Sequence, residues 1–320
     1  MKITDNKMLN EIKSRLSADK AGFAGKYVLY LPVLIIGFYL AGCSDLETDI
    51  NQPPEVSIHK EGILTPSSED FHGKLVRNNN WDMNLCKECH GINYDGGLVK
   101  VSCFTCHNDF KGPENCSTCH GSNLSPAPPR DLSGNVLTSN RGVGAHQVHL
   151  AGNSKGKTLS CAECHSVPGS VYQDGHIDTD VSQAEVLMNN YLANLTTNNP
   201  STSNYSSQLP LFEPNPEYNS ESLSCSSTYC HGTFKNGNTD NAPVWNDPTT
   251  AACGTCHGDP TKATLSEKAL PKTSAQGGTH PDVLTCSACH VGVVDANLKF
   301  IDASKHIDGK LNLSGSDIAY

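Results

Sequence analysis

Fourteen of the fifteen cysteines fall into seven pairs, and a histidine follows the second cysteine of every pair. In chain order these are Cys86-Lys87-Glu88-Cys89-His90, Cys103-Phe104-Thr105-Cys106-His107, Cys116-Ser117-Thr118-Cys119-His120 and Cys161-Ala162-Glu163-Cys164-His165. Then come Cys225-Ser226-Ser227-Thr228-Tyr229-Cys230-His231, Cys253-Gly254-Thr255-Cys256-His257 and Cys286-Ser287-Ala288-Cys289-His290. Six pairs are CxxCH and one is the longer CxxxxCH. Cysteine pairs alone would also suit four-thiolate zinc sites or redox dithiols. Neither requires the histidine. Fourteen histidines in 320 residues make seven such placements by coincidence untenable.

CxxCH is the attachment signature of c-type haem. In a helical turn, residues three apart share a face. Two sulfurs so spaced meet the two vinyl-derived carbons on one haem edge, and the adjacent imidazole reaches the iron as proximal ligand. In the longer site two extra residues must loop out, while Cys230-His231 keeps sulfur and imidazole adjacent. The expected cofactor content is seven covalently bound haem c groups.

Seven histidines remain: His59, His72, His146, His149, His176, His280 and His306. They match the seven irons one for one, which predicts a second, distal imidazole on each. Only Met83 and Met188 lie outside the N-terminal export segment described below, so methionine is not a general alternative. His146 and His149 are three apart, on one helical face, and could serve two neighbouring haems. A histidine, then CxxCH, then His-Ile-Asp occurs at 149–178 and again at 280–308, an internal echo that predicts two related units. The pattern leaves open which distal histidine crosses to which iron. Iron held by two imidazoles is six-coordinate and low-potential, which suits outer-sphere electron transfer and leaves no position for substrate.

The N-terminal 26 residues carry six basic and three acidic groups and precede the apolar run YVLYLPVLIIGFYLAG. That order is an export signal, and the run is short of the about 20 residues a membrane span needs. It ends in Leu40-Ala41-Gly42-Cys43, which resembles a bacterial lipobox. The resemblance implies cleavage before Cys43 and lipidation of its sulfur, with Ser44 at the next position pointing to the outer membrane. The alternative is an uncut signal anchor. Cleavage would remove the six basic and three acidic residues and leave a net charge of −13. Haem propionates would make the surface more acidic still. Nucleic acid is excluded as a partner; a basic redox protein, a metal cation or a mineral is expected.

Aromatic residues are only 6% of the chain, too few for an ordinary core to offset the ordering entropy. The expected fold class is therefore mostly coil with short helices, packed around haem, with few or no regular sheets. The expected organisation is 1–42 lipoprotein signal peptide, 43–58 tether and 59–135 an N-terminal triple-haem region. A fourth-haem unit at 136–182, a polar linker or docking loop at 183–224 and a C-terminal triple-haem region at 225–320 follow. The first three sites crowd into residues 86–120, where Gly91, Gly96, Gly97, Gly112 and Gly121 turn the chain, so close haem packing is expected there.

Taken together, the chain resembles the multihaem c-type cytochromes of dissimilatory metal-reducing bacteria, the Geobacter-type CxxxxCH/CxxCH group. The residues that carry this are Cys225–His231 with Gly232, Gly144-Ala145-His146-Gln147-Val148-His149, Cys161–His165 with Val167-Pro168, Gly175-His176-Ile177-Asp178, Phe71-His72-Gly73 and Cys89-His90-Gly91. The resemblance implies extracellular electron transfer, with other redox proteins, a porin–cytochrome complex or an extracellular metal acceptor as partners. Two other functions stay open: a multihaem oxidoreductase with one open haem, and a structural subunit of a cytochrome filament or porin–cytochrome complex.

Overall fold

The computed structural model describes residues 58–151, 155–177, 184–188 and 191–320. The export signal, Cys43 and the tether up to residue 57 lie outside the described residues. Contacts divide the chain into two units, after Lys74. In the first, residues 58–74 form turns joined by ion pairs Lys60–Asp70 (3.0 Å) and Lys74–Glu69 (2.8 Å). Both pairs are exposed and stabilise little.

The second unit is built from short pieces. Helix α1 (His72–Asn78) begins in the first unit and ends in the second; the second also holds α2 (Asn84–His90), α3 (Cys116–Cys119), α4 (His146–Leu150), α5 (Leu265–Ala269) and α6 (Cys286–Cys289). Among the described residues no helix exceeds seven residues, well under the roughly 12–15 that hold themselves in water. Their ends are written in the sequence. Asn115 Oδ1 caps α3 by accepting from Ser117 N–H at 2.9 Å, and Thr264 and Glu267 close a capping box on α5. Two antiparallel hairpins are the strands among the described residues: β1 (Glu217–Asn219) with β2 (Ser224–Ser226), and β3 (Lys310–Leu313) with β4 (Ser316–Ala319). The second turns through Ser314 and Gly315, both at positive φ, the two-residue turn that matches strand twist. The fold class is the one the sequence predicts: coil, short helices, and sheets limited to hairpins. Among the described residues no helix is long and apolar enough to cross a membrane.

The interior is sparse. Among the described residues the buried apolar side chains are Met83, Tyr94, Val143, Met188, Leu192, Ala193, Tyr229 and Val293. Large apolar side chains are instead exposed, among them Ile92, Leu98 and Phe110 around the first two attachment sites. The most deeply buried polar groups are Thr197 and Asn198, in the segment that reads as polar linker or docking loop. Asn198 Nδ2 donates to the carbonyls of Ser206, Leu209 and Pro210, each at 3.0 Å, and its Oδ1 accepts from Ser206 N–H at 2.8 Å. One amide thus gathers a polar stretch that has no apolar pattern to do so. The stretch is tied to the attachment sites through Ala193. Its N–H donates to Glu163 Oε1 (2.7 Å), inside the fourth CxxCH, and its carbonyl accepts from Tyr229 N–H (2.9 Å), inside the fifth.

Candidate haem centres

Local structure holds sulfur and imidazole together at each attachment site. The first lies in α2, the third in α3 and the seventh in α6; the second and fourth begin with 3-10 turns at Cys103–Thr105 and Cys161–Glu163. At the second, third, fourth and seventh sites the histidine N–H donates to the carbonyl of the first cysteine at 2.9–3.0 Å. That single bond closes the helical turn on which the CxxCH spacing depends. In the long site Cys225 sits on β2 opposite Tyr218. Ser227 turns left-handed (φ 54°), and Thr228 Oγ1 accepts from His231 N–H at 3.2 Å. The two extra residues are absorbed between a strand end and a capped 3-10 turn. The sixth site is a turn rather than a helix, with Gly254 at φ 95°.

Gly232, directly after His231, has φ 128°, and a Cβ there would lie 2.3 Å from the Asn238 carbonyl oxygen. Any side chain is forbidden by both strain and contact. Gly232→Ala should cost about 2 kcal/mol or more and lower the midpoint of thermal unfolding of the haem-loaded protein by several degrees, followed by circular dichroism.

None of the fourteen cysteines of the seven pairs is joined in a disulfide. Among the described residues no group of three or more His, Cys, Asp or Glu is arranged to hold a metal. The CxxC pairs therefore do not gather into the four-donor clusters zinc needs.

What the structure does gather is imidazoles, in twos. His120 lies 6.1 Å from His176 between ring centroids, His146 6.2 Å from His165, and His149 6.1 Å from His231. His257 lies 6.1 Å from His306, and His280 6.4 Å from His290. In each pair one ring belongs to an attachment motif and the other is a distal candidate. Two imidazole nitrogens each about 2.0 Å from a shared metal, with ring centroids roughly 1.1 Å behind them, give a separation of about 6.2 Å. The five centroid separations match that spacing, so these residues would hold the iron of a haem if one were bound.

Hydrogen bonding selects the tautomer such a site needs. Nδ1–H donates to a backbone carbonyl in His72 (Ile63), His90 (Val101), His146 (Val143), His149 (Ala145) and His165 (Glu185), at 2.7–2.9 Å. The same bond occurs in His176 (Val171), His257 (Ala269), His280 (Pro281) and His290 (Asn312), at 2.7–2.8 Å, and in His306 to the Lys155 carbonyl. A ring whose Nδ1 carries the proton keeps its lone pair on Nε2, the nitrogen that ligates. Burial also favours the neutral form of His231 and His257. It pushes His231 down to about 4, helped by His149, and His257 down to about 4, helped by His306.

The pairing resolves the internal echo. His176 and His306, the two His-Ile-Asp histidines, each reach back past their own site, to the third and the sixth respectively. His146 and His149, on one turn of α4, face different sites, the fourth and the fifth. His59 and His72 lie in the first unit. His107 follows the 3-10 turn of the second attachment site, Cys103–Thr105.

One residue that the sequence did not single out stands between two of these pairs. Trp245 meets His146 edge-on (centroids 4.7 Å, 88°) and lies nearly parallel to His149 (5.8 Å, 14°). Its only signal in the sequence was rarity, as one of two tryptophans.

Comparison with known proteins agrees with this chemistry. The model of the family described as Geobacter CxxxxCH...CXXCH motif matches residues 224–257, which hold the fifth and sixth sites. No curated protein matches the chain, and no solved structure does. The family match, on a chain that repeats the attachment motif throughout, supports a multihaem c-type cytochrome with covalently bound haem c.

Proposed function

We propose that the chain is a heptahaem electron carrier in which every iron is held between two imidazoles. The observation that carries this reading is the set of five facing histidine pairs at 6.1–6.4 Å. His59 and His72 complete the count of seven distal candidates. Bound haem supplies a one-electron couple; the chain's own groups hold it, orient it and set its environment. The paired cysteines fix each haem edge, and the Nδ1–H···O=C bonds fix ring tautomer and direction. With both axial positions filled, transfer is outer-sphere and potentials are low. This disfavours a multihaem oxidoreductase with one open haem.

The setting we propose is extracellular or metal-reducing respiration. Cys43 is the lipidation site, and the protein is exported and anchored at the outer membrane. An acidic surface suits a basic redox protein, a porin–cytochrome complex or a metal acceptor, and does not suit nucleic acid. Intact mass of mature protein from a host with c-type maturation tests the count and the anchor together. Seven haems and an acylated Cys43 are expected; fewer haems than attachment motifs would overturn the proposal. Carbon monoxide added to reduced protein should leave the optical spectrum unchanged, whereas a ligand-induced change would favour the oxidoreductase.

The ring angles add a spectroscopic expectation. The imidazole planes are crossed in the His149–His231 and His257–His306 pairs, at 86° and 77°. They are closer to parallel, at 28°, 23° and 7°, in the His120–His176, His146–His165 and His280–His290 pairs. Crossed planes make low-spin ferric iron strongly anisotropic, and parallel planes make it less so. Paramagnetic resonance of the oxidised protein should show both classes, and a spectrum of one class alone would contradict the pairing geometry.

A further inference from the structure

We propose that Trp245 is a positioning residue shared by two haem sites, fixing the ring planes of both His146 and His149 and so locking the fourth and fifth sites into one unit. This rests on the bis-imidazole reading above.

The two histidines sit three residues apart on α4 and face His165 and His231. Each has one anchor in the residues just before that helix, the Nδ1–H bond to the Val143 or Ala145 carbonyl. One hydrogen bond leaves a ring free to rock about that bond. The indole supplies the second restraint, an edge contact on His146 and a face contact on His149, at separations where aromatic pairs attract. The rings end in different orientations, 23° to the partner in one pair and 86° in the other, although they leave the same turn of helix.

The indole is itself held from both sides. Its Nε1–H donates to the Arg141 carbonyl (2.8 Å), and the next residue, Asn246, donates to the Ser139 carbonyl (2.9 Å). These bonds tie it to the loop that leads into α4. On the other side Trp245 N–H donates to the Leu223 carbonyl, Val244 bridges Ser224, and Cys225 N–H donates to the Pro243 carbonyl at 3.0 Å. The segment 243–246 therefore runs alongside the first cysteine of the fifth site while its ring sits on the axial imidazoles of the fourth and fifth. Gly144 makes room for it. At φ 41°, a Cβ there would lie 1.9 Å from Trp245 Nε1, so only glycine admits the indole at this depth. A residue that merely filled space would not need bonds to two separate segments and a glycine cut out to receive it.

The test is paramagnetic resonance and redox titration of the haem-loaded W245F and W245L variants, with haem counted by mass. Both should retain seven haems and remain low-spin. The signals of two irons, one of the parallel class and one of the crossed class, should move, and two potentials should shift while the other five stay. Phenylalanine keeps a ring but loses the bond to Arg141, so its shifts should be smaller than those of leucine. Should the leucine variant fail to mature, the phenylalanine variant alone decides. Spectra and potentials matching the unmodified protein, or changes spread over all seven irons, would overturn the proposal and leave the bis-imidazole reading intact. An unmodified protein that lacks low-spin bis-imidazole signals would sink that reading instead, and this one with it.

Discussion

Replacing His149 with alanine should leave all seven haems attached and convert one of them, the fifth, from six-coordinate low-spin to five-coordinate. The covalent bonds at Cys225 and Cys230 do not involve the distal ring, so the number of haems found by mass is unchanged. The iron then keeps only His231, and an exogenous ligand gains a position. Reduced H149A should bind one carbon monoxide per chain, where the unmodified protein binds none. His149→Met should refill the position and raise the potential of that one haem, since axial thioether favours ferrous iron. If alanine at 149 instead opened the fourth haem, that of His165, the α4 histidines would be assigned in the wrong order. H146A provides the matching control, with its effect expected at the fourth site.

The second large effect concerns folding. The buried apolar side chains are few and scattered through the described residues, and Ile92, Leu98 and Phe110 are exposed near the first two attachment sites. The helices are too short to stand alone, and the hairpins have two strands each, which is marginal in water. A haem is a large flat apolar body, so covering these side chains with porphyrin adds the missing interior, and cofactor binding becomes folding free energy. Protein made without haem attachment should therefore show no cooperative thermal transition and little near-ultraviolet dichroism, while the loaded protein unfolds cooperatively. A cooperative transition in the haem-free chain would show that the polypeptide carries its own core.

How much of this was legible in the sequence follows from the range of each interaction. The attachment motifs are local: one turn of chain fixes two sulfurs and an imidazole, so Cys86 through His290 could be read directly. The fold class followed from scarcity of aromatics and frequent glycine, which limit both helix length and core. The seven histidines outside the attachment motifs were visible as a count. The pairing was not, because His120 meets His176 and His149 meets His231 across long intervening segments, and nothing in either neighbourhood encodes its partner. The His-Ile-Asp echo was visible in the sequence; that both of its histidines face the preceding site, while His149 faces the fifth site and His280 the seventh, appears only in three dimensions. Asn198 reads as one more polar residue in a polar stretch, since a buried amide that satisfies several carbonyls has no periodic signature. Trp245 was hidden for the same reason. Gly144 was legible as part of a motif, yet its role depends on an indole a hundred residues away.

The account stands or falls on coordination number. The most direct measurement is quantitation of spin states in the fully oxidised, haem-loaded protein by near-infrared magnetic circular dichroism, set against its iron content. Seven irons per chain, all with the charge-transfer band of low-spin bis-imidazole haem, is the predicted result. A high-spin fraction equal to one iron or more in the native protein would contradict it.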